Sequence, residues 1–260
     1  MPSLSLTTLL HVARSGMLSQ QAHIDVVANN IANINTAGYK RSRAEFHEIL
    51  DTELETPPAG DNRTSGQAAG TILADNQRLF DQGVIQPSEQ DWDMAIEGEG
   101  FFQLQLADGS LAYTRDGTFR LDGEGRLINA RGYLLSPGIT LPPDAEETLV
   151  SPNGEIMARR TGETDPQMIG TVTLARFINP AGLEKIGENL FQPSENSGQA
   201  QIGQPGENGF GQIIGHALED SNVDLSREVV QLISAQRAYS LMVQTVETSD
   251  EMFNLANQMR

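Results

Sequence analysis

Hydrophobic side chains recur every seven residues near the beginning of the chain. The repeating positions are Leu10, Met17, Ile24 and Ile31, with Leu6, Ala13, Val27 and Ile34 three residues after the same phase. A seven-residue repeat of this kind predicts a helix that packs along a seam against another helix. The stretch Asn35-Thr36-Ala37-Gly38 is placed to end the helix, because glycine takes the left-handed conformation readily.

The last segment of the chain has the same periodicity. Its seven-residue positions are Leu218, Leu225, Leu232, Tyr239, Val246 and Phe253. Asn222 or Asp224 is suited to cap the helix start, since a short polar side chain can accept a hydrogen bond from a first-turn N–H. We therefore predict one helix from about Asp224 to Gln258, roughly 50 Å long at 1.5 Å per residue.

Both predicted helices carry few charges. Residues 1–34 contain only Arg14 and Asp25, and residues 229–246 contain only Arg237. The surface helices of monomers usually have a charged outer face. We therefore expect both helices to be interior elements of an assembly. An antiparallel helix pair within one monomer explains the periodicity as well, and this alternative stays open. A protein that remained monomeric at high concentration with both helices formed would contradict the assembly.

Short apolar segments separated by turn dipeptides occupy the middle of the chain. The dipeptides are Asp108-Gly109, Asp116-Gly117, Asp122-Gly123 and Asn153-Gly154. Such dipeptides between apolar segments are strong signals of β-hairpins. We predict an α+β chain in which residues 1–48 and 216–260 form a helical coiled-coil domain. Residues 89–177 form an inserted antiparallel β-rich domain, and residues 49–88 and 178–215 are extended connections, with a loop at 51–70 and a Gly/Ser/Gln/Pro-rich stretch at 193–211.

Composition narrows the classes of partner. The formal net charge is −18, and almost all of it lies between the two predicted helices. A chain this acidic repels phosphates, so general binding to nucleic acid is excluded. There is no cysteine, which excludes disulfides and thiolate metal sites. No apolar run of about 18 residues predicts membrane insertion, and the N-terminal segment does not resemble a cleavable signal peptide.

Candidate chemistry is sparse. The four histidines have no metal-ligand spacing, and no catalytic motif occurs. We interpret Asp91-Trp92-Asp93 as a solvated strand entrance, and Glu97-Gly98-Glu99-Gly100 and Asp122–Arg126 as backbone turns. Lys40-Arg41-Ser42-Arg43 is the one basic cluster, placed after a helix end or against an acidic surface of a neighbouring subunit. We expect no catalytic residues, cofactor or metal.

The segment from Ser19 to Arg41 resembles the N-terminal signature of the flagellar basal-body rod and hook family. The signature residues are Ala28, Asn29, Asn30, Ala32, Asn33, Thr36, Gly38, Tyr39 and Lys40. Residues 95–103, 113–127, 177–191 and 221–239 also resemble that family, in particular its distal-rod members. The resemblance covers nearly the whole chain.

The resemblance implies a structural role. Members of this family pair their terminal helices into an axial coiled-coil layer, with β-rich domains outside, and stack helically into a hollow shaft that transmits torque from motor to hook. The implied partners are further copies of the chain, proximal rod and hook subunits, the ring bushing of the outer envelope and the flagellar type III export apparatus. The implied location is the basal-body rod in the periplasm, reached without a cleaved signal.

On this reading the subunit-packing seam comprises Leu10, Met17, Ile24, Val27 and Ile31 with Leu225, Leu232, Tyr239, Val246 and Phe253. Other classes remain: a proximal rod or hook-type subunit, an acidic β-rich adaptor that docks through its end helices, or an enzyme acting on glycan. The adaptor would have a fixed stoichiometry, and the enzyme would act on peptidoglycan.

Overall fold

The computed structural model describes residues 6–51, 67–142, 145–160 and 165–258. Two long helices lie at the ends of the described chain: α1 spans Leu6–Ala32 and α2 spans Leu225–Gln258. Both helices were predicted, and α2 has nearly the predicted bounds. The heptad positions Ile34 and Leu218 lie outside the helices, because α1 ends at Ala32 and Leu218 belongs to a strand. Asp224 caps α2, because its Oδ1 atom accepts hydrogen bonds from the N–H groups of Ser226 (2.9 Å) and Arg227 (3.3 Å). Among the described residues, no helix is long and apolar enough to cross a membrane.

Eighteen strands lie between the helices in the described residues. They are β1 (Ser42–Asp51), β2 (Gln67–Arg78), β3 (Ile85–Pro87), β4 (Met94–Glu97), β5 (Phe101–Gln105), β6 (Leu111–Thr114), β7 (Phe119–Leu121), β8 (Leu127–Asn129), β9 (Leu134–Ser136), β10 (Ala145–Val150), β11 (Glu155–Arg160), β12 (Gln167–Thr171), β13 (Leu174–Arg176), β14 (Glu184–Gly187), β15 (Leu190–Gln192), β16 (Gln201–Gly203), β17 (Gln212–Gly215) and β18 (Ala217–Glu219). All the pairings are antiparallel, which confirms the α+β class with a β-rich middle.

The chain divides into two compact units. The first, here called the helical unit, comprises Met1–Ala32, Ser42–Arg78 and Asp224–Arg260. It contains α1, α2 and the β1–β2 hairpin, which has β-bulges at Glu45/Phe46 and Ile49/Leu50. The hairpin packs on α1: the Ser19 hydroxyl lies 3.1 Å from the Thr71 hydroxyl. The helical unit therefore joins segments that are far apart in sequence.

The second unit, here called the β unit, comprises Asn33–Arg41 and Leu79–Val223. Its largest sheet has the strand order β14-β15-β6-β5-β9-β8-β7, with β13 pairing to β5 and β16 pairing to β13. A second sheet has the order β10-β11-β12, and the pairs β17–β4 and β18–β3 complete the unit. The β unit is thus closed by strands from both ends of its own sequence.

The β unit has two apolar clusters, and β5 contributes to both. Phe102 and Leu104 point into the main core, whereas Phe101 belongs to an aromatic cluster with Phe177 and Phe191. The alternation of neighbouring side chains follows from the two-residue period of a strand. The first four residues of β5, Phe101–Leu104, are all buried, which fits its position in the middle of the sheet.

Three of the four turn dipeptides connect hairpins as predicted: Asp108-Gly109 joins β5 to β6, Asp122-Gly123 joins β7 to β8, and Asn153-Gly154 joins β10 to β11. The prediction was wrong for Asp116-Gly117, because β6 and β7 do not pair. Here the backbone runs against β4, and a Cβ atom on Gly117 would lie 1.6 Å from the Met94 carbonyl oxygen.

The predicted connections contain more structure than expected. Within residues 193–211, strand β16 pairs with β13. Most of the predicted loop at 51–70 lies outside the described residues, and its described end, Gln67–Gly70, belongs to β2. Gln, Gly and Ser at these positions have low strand propensity, so the sequence pattern did not indicate the strands. These strands form because they pair with segments elsewhere in the chain.

Candidate functional site

The two helices of the helical unit contact each other in antiparallel orientation. A Cβ atom on Gly16 would lie 2.8 Å from the sulfur of Met242, and the Asn30 amide donates a hydrogen bond to Glu228 (3.1 Å). Advancing along α1 from Gly16 to Asn30 therefore means moving back by the same number of residues on α2. Glycine at position 16 lets Met242 approach the α1 backbone closely.

The structure places the predicted seam residues in two groups. On α1, Val27 is buried, and Leu10, Met17, Ile24 and Ile31 are half-buried. On α2, Leu232 and Val246 are half-buried, whereas Leu225 is 48% and Tyr239 is 37% exposed. The side chain of Phe253 lies outside the described part of the chain. Contact of this set with other subunits remains a prediction.

Asn30 is the best-connected signature residue of the helical unit. Its amide donates to the Ser42 carbonyl (2.8 Å), and its Oδ1 atom accepts from the Ser42 N–H (2.9 Å). The same amide reaches Glu228, whose side chain is also buried. Asn30 therefore ties α1 to the first residue of β1 and to the first turns of α2. A side chain with both a donor and an acceptor is needed to satisfy both backbone groups.

The signature residues after α1 form a tight turn in the β unit. Tyr39 N–H donates to the Thr36 carbonyl (3.2 Å), and Gly38 N–H donates to the Glu219 carbonyl (2.7 Å). Gly38 has a φ of 64°, and a Cβ there would lie 2.5 Å from the backbone of Arg115 and Asp116. Glycine is required here by conformation and by space. Its role differs from the predicted helix stop, because α1 already ends at Ala32.

Lys40 lies at the centre of a buried ion cluster, which consists of Lys40, Glu219 and Arg115. The Lys40 Nζ atom is 2.5 Å from Glu219 Oε1 and donates to the Asp81 carbonyl (2.8 Å). The Arg115 guanidinium lies 3.6 Å from Glu219 Oε2 and donates to the Gly98 carbonyl (2.6 Å). The side chains of Lys40 and Glu219 are fully buried, and that of Arg115 is almost so.

Two cations share one carboxylate in this cluster. Burial lowers the pKa of the Lys40 ammonium, and its contact with Glu219 opposes that change. Burial likewise lowers the pKa of Arg115, again against the attraction of Glu219. Since desolvation is the larger effect for both cations, Glu219 is the group that makes their burial tolerable.

Asn222 holds three chain segments of the β unit together. Its Oδ1 atom accepts from the Arg41 N–H (2.7 Å), and its amide donates to the carbonyls of Leu79 (2.8 Å) and Asp81 (2.9 Å). The Gly83 N–H donates to Glu219 (2.8 Å) beside it. Side-chain hydrogen bonds thus connect three segments: the residues that follow α1, the segment after β2 and the segment before α2.

Two sequence interpretations were wrong at this level. Lys40 is not a surface cation, because it is enclosed by the β unit, whereas Arg43 of the same cluster is exposed and pairs with Glu45 (2.6 Å). Asp93 is not solvated: it is buried and accepts a hydrogen bond from the Ser88 hydroxyl. The 122–126 segment is a turn as expected, with Asp122 Oδ1 accepting from the N–H groups of Glu124 and Arg126 (2.8 Å each).

The remaining signature positions are less enclosed. Ala28, Asn29 and Ala32 are exposed on α1, and Asn33 is half-buried. The pattern did not single out Glu219, Arg115 or Glu228, since isolated charges have no periodicity. Among the described residues, no three metal-ligating side chains converge. The signature residues Asn30, Gly38 and Tyr39 act through backbone and side-chain hydrogen bonds, and Lys40 acts through its ion pair.

Known families match three parts of the chain that together include both helices and much of the β unit. Residues 10–40 match the model described as "Flagella basal body rod protein", and residues 95–158 match "Flagellar hook protein FlgE/F/G D1 domain". Residues 215–259 match "Flagellar basal body rod FlgEFG protein C-terminal". The first match contains the signature from Ala28 to Lys40, and the third contains Glu219 and Asn222.

Full-length relatives agree with these matches. The chain is 38% identical to the flagellar basal-body rod protein FlgG of Caulobacter vibrioides and 39% identical to that of Borreliella burgdorferi, in each case over 96% of this chain and 98% of the relative. It is 30% identical to FlgF of Caulobacter vibrioides over 94% of each chain. The chain belongs to the flagellar basal-body rod and hook family. Within that family it is a structural rod subunit of the distal-rod type.

Proposed function

We propose that the chain polymerises helically with copies of itself into the hollow distal part of the flagellar rod, and that this shaft transmits torque from motor to hook. In this proposal α1 and α2 form an axial coiled-coil layer, and the β-rich middle of the chain lies on the outside.

The observation that carries the proposal is the pairing of two long helices that carry few charges: Arg14 and Asp25 in α1, and Arg237 alone between Val229 and Val246 of α2. Exposed apolar side chains on α2 include Val230 (67%) and Leu241 (63%). A monomer that kept these faces in water would expose a long apolar strip, which is typical of surfaces that bind other proteins. Helices of this kind gain most of their stability from packing, so a polymer would complete it.

The proposed partners follow from the family. They are copies of this chain along the shaft, proximal rod and hook subunits at its two ends, the ring bushing around it and the type III export apparatus. The proposed location is the basal body, where the rod crosses the periplasm, with export that needs no cleaved signal. The acidic residues between the helices would face outward and keep the shaft surface hydrated.

The test is to replace the gene by an Ile24→Asp variant and to image isolated basal bodies. Ile24 is half-buried on α1, so the new carboxylate would be enclosed without a partner once the seam is packed. We expect the rod to end before its distal part and swimming to be lost. Ile178→Asp is the matched control, because Ile178 is 81% exposed, and it should assemble normally.

Helical reconstruction of the wild-type rod provides the direct readout. The proposal requires repeated copies of this chain with both helices around a central bore. Complete rods in cells without the gene would refute the function. A complex of fixed stoichiometry, with no open-ended polymer, would instead favour an adaptor.

A further inference from the structure

A row of exposed residues runs along α2, on the side away from its contact with α1. The residues that face α1 include Glu228, Ala235 and Ser249, all of which are buried. The exposed row follows helical spacings of three and four residues and comprises Val230, Ile233, Arg237, Leu241, Gln244 and Thr248. Such spacing is that of a second helix-packing face. It differs from the predicted seam, which includes Leu232 and Val246.

Helix α1 has a corresponding exposed row, again with spacings of three and four residues. It comprises Arg14, Leu18, Gln21, Asp25, Ala28 and Ala32. Leu18, which is 58% exposed, is the one large apolar side chain of this row. The helical unit therefore has two exposed faces of the same periodicity, one on each helix.

The charges on the α1 row complement those on and beside the α2 row. The α1 row carries Arg14 and Asp25, which are eleven residues apart. On α2, Arg237 is followed by Glu247 ten residues later and by Glu251 one turn further on. In an antiparallel alignment that sets Asp25 opposite Arg237, Arg14 therefore lies beside Glu247 and Glu251. These five side chains form no ion pair with any other part of the chain that the structure describes.

The same alignment brings the large apolar side chains together. Setting Asp25 opposite Arg237 places Leu18 level with Gln244, between Leu241 and Thr248. A shallow groove on α2 at this place is lined by Ile233, Gln236, Arg237, Ser240, Leu241 and Gln244. A leucine above such a groove is the knob of a knobs-into-holes contact. In the alignment that the charges select, Leu18 thus meets the end of this groove formed by Leu241 and Gln244.

We propose that the exposed row of α1 in one copy packs against the exposed row of α2 in a neighbouring copy, with Asp25 paired to Arg237 and Arg14 to Glu247 and Glu251. This inference rests on the proposed function, because it takes the occupant to be a second copy in the same polymer. Within one chain, Asp25 is level with Ile233, as the Gly16–Met242 contact shows. The neighbour is therefore displaced by four residues, or about 6 Å along the helix axis.

An interface between two different faces does not close on itself. Each copy would offer its α1 row to one neighbour and its α2 row to another, so that assembly proceeds in one direction without limit unless the rotation closes a ring. A small axial displacement at each step converts such a ring into a helix. The two exposed rows of the helical unit thus account for open-ended growth.

Charge reversal tests the pairing in cells that lack the wild-type gene. We expect Asp25→Arg to lower the amount of distal rod in isolated basal bodies at least tenfold, because it faces Arg237, and Arg237→Glu to do the same. The double variant, in which both charges are exchanged, should recover at least half of the wild-type amount. Asp250→Arg is the control, since Asp250 is exposed on α2 outside the row, and it should assemble as wild type does.

Cysteine cross-linking provides an independent test, since the chain has no cysteine of its own. In basal bodies that carry Asp25→Cys and Arg237→Cys together, mild oxidation should give a ladder of covalent multimers on a non-reducing gel. Each single variant, and the pair Asp25→Cys with Asp250→Cys, should give none. Circular dichroism of the purified variants should match wild type, which excludes loss of folding.

The outcomes separate this interface from the proposed function. If the wild-type gene restores rods but the charge reversals have no effect, or the double variant fails to recover, the interface is wrong and the rod function stands. A cross-link to a different protein, without multimers of this chain, would also overturn the interface. If cells without the gene build complete rods, the proposed function fails first.

Discussion

Replacing Glu219 by glutamine would leave two buried cations without a counter-charge. Lys40 and Arg115 are 2.5 Å and 3.6 Å from the Glu219 carboxylate, and their side chains are at most 5% exposed. The substitution keeps the shape of the side chain and an oxygen that can accept the Gly83 N–H. The loss of charge is therefore the main change.

The expected effect is large. Removing one partner of a buried ion pair typically destabilises a protein by about 3–5 kcal/mol, because the other charge remains desolvated. For a cooperative unit of this size, that corresponds to a fall in Tm of roughly 6–20 °C. Lys40→Met should be far milder, since Glu219 and Arg115 remain paired. We expect a loss of about 1 kcal/mol, mainly that of the hydrogen bond to the Asp81 carbonyl.

Urea unfolding followed by tryptophan fluorescence measures this effect. Trp92 is the only tryptophan and packs against the main core of the β unit, so its emission reports on the unit that contains the cluster. The double variant, Lys40→Met with Glu219→Gln, should be more stable than Glu219→Gln alone, because it removes one of the two unpaired cations. A loss below about 1 kcal/mol for Glu219→Gln, or an equal loss for Lys40→Met, would refute the view that Glu219 compensates two desolvated cations.

Two further predictions concern the β unit. Gly38→Ala should destabilise it by about 2–5 kcal/mol in urea unfolding, because the left-handed backbone and the steric contact both oppose a side chain. Gly109→Ala is the control and should cost only about 1 kcal/mol. Its φ is also positive, but nothing lies within 4 Å of the new Cβ. Asp116→Asn should raise Tm at pH 7, because burial raises the pKa of the Asp116 carboxyl against the lowering effect of its hydrogen bonds from Thr118. A raised folded-state pKa destabilises the folded protein above that pKa, so the gain in Tm should shrink as the pH falls through it; a gain that grows in acid would contradict this.

The helices were predictable because their signals are local and repeated. Periodic apolar positions indicate both helices, and the Asp224 cap marks the start of α2. The exposure of Leu225 and Tyr239 to solvent could not be predicted from this pattern. A strict seven-residue repeat drifts by about 20° per heptad around a straight helix, so positions that share a seam in a supercoil leave the buried face of a straight pair.

The β unit was predictable in kind but not in connection. Asp-Gly and Asn-Gly mark tight turns, and three of the four join neighbouring strands. The fourth, Asp116-Gly117, uses its glycine for close approach to the Met94 carbonyl, which depends on a strand more than twenty residues earlier. A turn dipeptide determines the local backbone conformation but not which strands will pair.

The burial of Lys40 illustrates what a sequence pattern leaves open. A run of basic residues next to a helix end has the same composition whether it is solvated or enclosed. Its environment is decided by Glu219, which lies 179 residues later.

Because a buried cation is tolerated only with a partner in place, Lys40 can be enclosed only when the segment before α2 has returned to the β unit. The ion cluster, the Asn222 hydrogen bonds and the Gly38 contact all involve that return. The β unit is therefore expected to reach its final form only once residues up to Asn222 are present. This would couple its folding to near-completion of the chain, as suits a subunit whose helices must pair from opposite ends of the sequence.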